Sequence, residues 1–218
     1  MLTEKCADQN AGGPPGFPPS GGAKAAASGA AQVPAQSVIL NLMDWLTFRR
    51  NGEARSVREA PPSVTELLPE LLIGEYPRPQ DVAWLSQVHR ITAVLNLQDD
   101  DDLNIKGLDL PALAASYRRA GITLVRMPVP DSSADHLERA LEDAVAQVHG
   151  LVQAGRRVYL HCNAGINRAP TVAIAFIHLH RAMGLEEAVA YVRKRRVCAP
   201  YTVMLKEFFA GRDGAPRD

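Results

Sequence analysis

A short run rich in β-formers, Arg157 to His161, passes within a few residues into a long apolar-periodic run that starts at Ala169. A strand feeding a helix this directly commits the chain to α/β packing, because the helix has to cover the sheet it leaves. Between the two runs stand Cys162-Asn163-Ala164-Gly165-Ile166-Asn167-Arg168. A loop of this length can curl so that successive backbone N–H groups point at one anion, with the next helix end-on behind them. Gly165 supplies the permissive backbone such a curl needs. Arg168 adds a planar fork that matches two phosphate oxygens, which a lysine does not. Cys162 then lies among inward donors, a helix N-terminus and a guanidinium, surroundings that favour thiolate over thiol. The chemistry this pattern suits is holding a phosphate and attacking it.

The flanking sequence divides into three stretches. Residues 1–36 are dominated by Gly, Pro, Ala and Ser, with Gly12-Gly13-Pro14-Pro15-Gly16-Phe17-Pro18-Pro19 near the start, and lack the large apolar surface needed to offset ordering entropy. They read as a disordered tail. In residues 37–62 an amphipathic segment precedes a linker. Val38, Ile39, Leu42, Met43, Trp45 and Leu46 fall near one helical face, followed by Arg49-Arg50, and the linker closes on Pro61-Pro62. That face fits either a helix packed on the rest of the chain or an interfacial, partner-binding helix. Residues 63–212 carry the globular pattern. A strand pair ends at Gly74; Gln80–Val88 is helical, Ile91–Leu97 a buried strand, and Asp109–Ala120 a helix stopped by Gly121. Ile122–Val129 is a strand and Asp135–Ala154 a long helix stopped by Gly155. The helix over Ala169–Met183 has Pro170 in its first turn and Gly184 past its end, and Leu185–Arg196 and Tyr201–Ala210 are closing helices. Strands alternating with helices predict a mainly parallel sheet flanked by helices on both faces, with ligands at the carboxyl ends of the strands.

Twenty-four basic and 24 acidic residues cancel, so no global field draws the chain to nucleic acid or anionic lipid. Three cysteines, Cys6, Cys162 and Cys198, make no disulfide framework. A nucleophilic thiolate needs a reducing compartment. No apolar signal-peptide core and no run of about 18 apolar residues is present. The expectation is a cytoplasmic protein with no transmembrane segment. His178 and His180, two apart on a helix, point to different faces, so neither a metal nor a cofactor is expected.

Cleaving a phosphate ester leaves an oxyanion that needs a proton, which the thiolate cannot give. Asp131, just after the strand ending at Val129, falls at the same sheet edge as Cys162. It is the expected general acid, with Asp135 as runner-up but better suited to cap the next helix. The run Asp99-Asp100-Asp101-Asp102 would repel a phosphate and reads as a solvated loop. His161 is expected to be buried behind the loop and to orient it by hydrogen bonding.

The stretch His161-Cys162-Asn163-Ala164-Gly165-Ile166-Asn167-Arg168 resembles the H-C-x-x-G-x-x-R signature of the cysteine-dependent phosphatases, and residues 63–210 have the extent of a dual-specificity phosphatase domain. Leu68 to Gly74 is similar to that family's opening strand. The resemblance implies an α/β catalytic domain and a cysteinyl-phosphate intermediate formed on Cys162. The phosphate would be held by Asn163, Ala164, Gly165, Ile166, Asn167 and Arg168, with Asp131 as acid and then base, and activity would follow a bell-shaped, mildly acidic profile. Substrates would be phosphoproteins carrying phosphotyrosine, with phosphoserine or phosphothreonine as further targets. Asn96-Leu97-Gln98-Asp99-Asp100 and Arg168-Ala169-Pro170 look most like the plant starch phosphatases and the laforin type, which opens phosphoglucan as a second substrate class. The plant enzymes bind glucan on exposed rings; comparable stretches here hold Ile105, Lys106 and Ser132, leaving Phe17, Tyr76 and Tyr201 as candidate contacts. Phosphoinositide is a further alternative, for which Arg78 would add positive charge at the mouth. Most of the family carries Ser or Thr where Ala169 stands, a hydroxyl that helps the cysteine leave, so its absence implies slow turnover of the phosphoenzyme. A non-catalytic phosphate-binding module would have no need of the thiol.

Overall fold

The computed structural model describes residues 60–213. The expected tail, the amphipathic segment and Phe17 lie outside the described residues. Five strands form one sheet: β1 (Val64–Leu68), β2 (Leu71–Gly74), β3 (Ala93–Asn96), β4 (Thr123–Arg126) and β5 (Val158–His161), in the order β1-β2-β5-β3-β4. β1 is antiparallel to β2 and every other pairing is parallel. Every residue of β2, β3 and β5 is buried, as expected of strands covered on both faces.

Alternation along these strands sorts the core into two layers. Leu72, Val94 and Tyr159 point to one face, where they meet Leu85 of α1 (Val82–His89) and Leu113 and Tyr117 of α3 (Leu110–Arg119). Leu71, Ile73, Leu95, Val158 and Leu160 point to the other. That larger layer packs α4 (Ala134–Gln153), α5 (Arg168–His180), α6 (Leu185–Arg195) and α7 (Thr202–Asp213). The α/β architecture expected from the sequence is the one observed.

Three local expectations are corrected. Asp99–Asp102 is not a solvated loop: Asp99 caps α2 (Asp100–Lys106), accepting from the Asp102 N–H at 2.8 Å, while the Asp102 carboxylate accepts from the Asp99 N–H at 3.2 Å. The reciprocal pair satisfies two helix-end donors, and the acidic first turn faces the positive end of the helix dipole. Asp135 does not cap α4; Ser133 holds the cap position and Asp135 lies exposed in the first turn. Finally, α5 ends at His180, three residues early, and the left-handed residue after it is Ala182 (φ 49°), while Gly184 begins α6.

Register decides where chemistry can occur. Gly74 pairs with His161, His161 with Asn96, and Asn96 with Arg126, so four parallel strands end level with one another. The segments that follow them, carrying Tyr76, Cys162, Asp102 and Asp131, therefore leave from one edge.

Candidate active site

Cys162 follows β5 directly and is 3% exposed. Each peptide carbonyl from Asn163 to Ile166 faces away from the centre of the loop and is fixed there. Asn163 O accepts from Tyr76 N–H (2.9 Å), Ala164 O from Arg196 Nη2 (3.0 Å), Gly165 O from Arg196 Nε (2.7 Å) and Ile166 O from Ala199 N–H (2.9 Å). In a trans peptide the N–H of the next residue points opposite its carbonyl, and the chain holds no cis bond among the described residues. Clamping four carbonyls outward thus turns the N–H groups of Ala164, Gly165, Ile166 and Asn167 inward, a cradle for an anion beside the thiol. Gly165 takes the left-handed backbone (φ 64°) that closes the curl.

Arg168, the first residue of α5, is 1% exposed. Its Nη1 is held by Val129 O (2.6 Å), Asp102 Oδ2 (2.7 Å) and Leu97 O (3.3 Å). Nε and Nη2, the other edge of the fork, make no hydrogen bond, and Nε stands 3.2 Å from Asp131 Oδ1. Burial opposes its charge, yet the sulfur of Cys162 and the carboxylates of Asp102 and Asp131 outweigh burial and push its pKa up. The guanidinium is fixed by one edge and offers the other, the arrangement for gripping two oxygens of one phosphate.

Asp102 also accepts from Asn163 Nδ2, and Gln98 Nε2 donates to Asn163 Oδ1 at 2.7 Å. One buried carboxylate therefore ties the first residue of the loop to the arginine at its end. Sequence reasoning missed Asp102 and Arg196. Asp102 left a usable signal, since Asp-x-x-Asp ahead of an apolar residue is a helix-start pattern. Arg196 left none; it is the last of four consecutive basic residues.

His161 is fully buried, stacks on Tyr159 with ring centroids 5.6 Å apart, and pairs through Nδ1 with its neighbour's carbonyl, Cys162 O, at 3.2 Å. A carbonyl can only accept, so Nδ1 carries the proton. Burial, with Arg168 adding to it, pulls the pKa down to about 4 from 6.5, against the opposing effect of the carbonyl bond. The folded state thus refuses a proton that the unfolded chain accepts below its pKa of 6.5. Stability from this residue is complete above that value and is lost as pH falls towards 4, by roughly 3 kcal/mol at full extent. Urea unfolding across this window should show the loss, and the His161 ring signals should not titrate above pH 5. Ring signals that titrate near 6.5 would refute the buried neutral imidazole.

The structure thus brings Cys162, Arg168, Asp131 and His161 to one edge. Asp131 is exposed at the mouth, whereas Asp135 lies beyond it on α4. Arg78 bonds Asp81 through Nε at 3.1 Å and the Ala60 carbonyl through Nη2 at 3.3 Å. Tyr76 is brought beside the loop, with the Lys106 ammonium 5.3 Å from its ring centroid. Tyr201 N–H donates to Thr171 Oγ1, and that hydroxyl donates to Asn167 O, so Thr171 does not substitute for the hydroxyl missing at 169. His178 pairs with Met183 O and His180 stacks on His149. No cluster of three or more metal-ligating side chains occurs among the described residues.

The profile of the family described as dual specificity phosphatase, catalytic domain, matches residues 71–208. The chain belongs to the dual-specificity phosphatase family. Curated relatives of this phosphatase domain include laforin of Mus musculus, 27% identical over 61% of this chain and 43% of that protein. Dual specificity protein phosphatase 2 of Homo sapiens is 30% identical over 60% of this chain and 37% of its own length. The chain spans about two to three fifths of such relatives. Among solved structures, Tk-PTP in its active form superposes with a TM-score of 0.57 at 24% identity, covering 69% of this chain and 95% of that one. PTPMT1 superposes with a TM-score of 0.54 at 19% identity, over 70% and 100%. Both share the fold of the dual-specificity phosphatase domain described here. No helix among the described residues is long and apolar enough to cross a membrane.

Proposed function

We propose that the chain is a cysteine-dependent phosphatase of phosphate monoesters, acting on phosphoprotein. The observation that carries this reading is the pairing of four inward N–H groups with the open edge of Arg168, around the thiol of Cys162. Cys162 attacks phosphorus in line, forming the S–P bond as the ester P–O bond breaks, while the cradle and Arg168 hold the equatorial oxygens. Asp131 protonates the leaving oxygen, then takes a proton from the water that cleaves the thiophosphate and frees inorganic phosphate. Because the acid must begin protonated and the thiol ionised, kcat/KM follows a bell-shaped curve with a mildly acidic maximum. An activity that climbs steadily into the alkaline range contradicts these roles.

The phosphoprotein reading is favoured over phosphoinositide by the loop itself: Asn163 to Asn167 carry no lysine to meet the extra charge of an inositol phosphate, and Arg78 is bonded to Asp81. Phosphoglucan is the second reading, motivated by the likeness to laforin and by Tyr76, although Lys106 already covers one face of that ring. Phosphate release from a phosphotyrosine peptide and from a phosphorylated glucan, measured side by side with Cys162→Ser as blank, separates the two. Peptide preference supports the proposal, glucan preference replaces the substrate, and release by neither refutes catalysis. A cytoplasmic setting is part of the proposal, supported by the free thiols of Cys162 and Cys198.

Ala169 is fully buried in the first turn of α5. With no hydroxyl there to help the sulfur leave, Ala169→Ser should raise the steady-state rate by a few-fold, on the order of one hydrogen bond to the departing charge. An unchanged rate with the pre-steady-state burst intact would remove phosphoenzyme breakdown as the slow step.

A further inference from the structure

Three of the four clamped loop carbonyls trace back to one short stretch of chain, the entry to β1. Arg196, the residue after α6, is 8% exposed and turns one edge of its guanidinium to the loop, Nε to Gly165 O and Nη2 to Ala164 O. Its remaining nitrogen faces β1. Nη1 donates to Thr65 Oγ1 at 3.1 Å, to Ser63 Oγ at 3.3 Å and to Ser63 O at 3.4 Å. The third carbonyl, Asn163 O, is held by the N–H of Tyr76, and Glu75 just before it is cross-tied to Ser63. Ser63 N–H donates to Glu75 Oε2 at 2.9 Å, and Glu75 N–H donates to Ser63 O at 3.2 Å.

Strand alternation puts Ser63, Thr65 and Leu67 on one face. Leu67 is buried in the larger core layer, and its carbonyl accepts from the Tyr191 hydroxyl of α6 at 2.6 Å. An apolar residue at 65 would continue that packing. Two hydroxyls stand there instead, where α6 ends and Arg196 reaches the loop. A guanidinium is planar, so pinning Nη1 sets the direction in which Nε and Nη2 point. Deprived of these acceptors in a buried place, it would turn towards others, and the two loop carbonyls would shift with it or lose it.

We propose that Thr65 and Ser63 are positioning residues for the anion cradle. Their oxygens fix the far end of Arg196, and so set the inward N–H groups of Gly165 and Ile166. The inference rests on the phosphatase reading above, and it makes the edge strand β1 part of the active site although neither residue meets the phosphate.

In the full-length chain, Thr65→Val keeps the shape of the side chain and removes the acceptor. Its kcat/KM for a phosphotyrosine peptide should fall about tenfold, the size of one hydrogen bond to a charged group. Tungstate, an oxyanion of phosphate shape, should bind about tenfold more weakly in calorimetric titrations made with Cys162→Ser added to remove the chemistry. Thr65→Ser returns the hydroxyl and should restore both readings, which a role in packing alone would not do. Ser63→Ala, which leaves Ser63 O in place, is the independent variant and should give a smaller loss in the same two readings. Urea unfolding curves identify the folded variants. Unchanged tungstate affinity in the folded variants overturns the proposal, and so does a loss that Thr65→Ser fails to restore. A parent chain that binds tungstate yet releases no phosphate refutes the phosphatase reading alone, because the tungstate comparison still decides what the hydroxyls do.

Discussion

Gly165→Ala lowers kcat/KM by about a hundredfold or more while the domain stays folded. A Cβ at this position would stand 2.5 Å from the carbonyl carbon of Gly74 and 2.6 Å from Arg196 Nη2. Gly74 cannot retreat, because it is paired within β2 and is itself closely packed against Ser63 and Tyr159. The loop or Arg196 must give instead. If Arg196 moves, the carbonyls of Ala164 and Gly165 lose their clamp, and the N–H groups behind them rotate out of the cradle. The left-handed backbone costs an alanine about 1–2 kcal/mol, and overpacking a further 1–3 kcal/mol. The larger loss is positional, since a displacement of about 1 Å at reacting groups lowers rates about a hundredfold. Steady-state kinetics beside a urea unfolding curve would decide. Activity within tenfold of the parent would mean that the outward carbonyls do not set the geometry.

Asp102→Ala is the second large effect. It removes the 2.7 Å partner of Arg168 Nη1 and the acceptor for Asn163 Nδ2, both in a place where water cannot replace them. Deleting one member of a buried ion pair destabilises by about 3–5 kcal/mol. Its catalytic share is separable, because an untethered guanidinium also grips phosphate poorly. Inhibition by orthovanadate, which takes the place of the phosphoryl group, should weaken along with kcat/KM, by about tenfold or more. Asp102→Glu should rescue little, since a further methylene displaces the carboxylate from its 2.7 Å bond to Arg168 in a buried place. Normal orthovanadate affinity in a folded Asp102→Ala protein would restrict Asp102 to holding α2 in place.

These two residues show where the sequence could and could not be read. The cysteine loop was legible because a signature, a strand and a helix coincide within a few residues, and strand ends bring Asp131 along by register alone. Asp102 was hidden by its company. Four successive carboxylates average to a solvated surface, yet helical periodicity sends the exposed Asp100 to Arg126 and the buried Asp102 to Arg168. Arg196 is likewise one of four basic residues at the end of α6, and only the turn after that helix selects it for the loop carbonyls. Both depend on which face a helix presents, a property that emerges only when the helix is docked. The partner of Arg78 is local by contrast: Asp81, three residues on, pairs with it.

The level ending of the four parallel strands also governs when the molecule becomes competent during folding. Asp102, Asp131, the loop and Arg196 are brought together across long stretches of chain, and such non-local contacts form late because loop closure precedes their reward. A chain emerging from synthesis holds Cys162 before it holds Arg196, which clamps the loop carbonyls around it. Recovered turnover in a refolding experiment would therefore lag behind the return of helical signal, and its rate would time the completion of the sheet and the docking of α6.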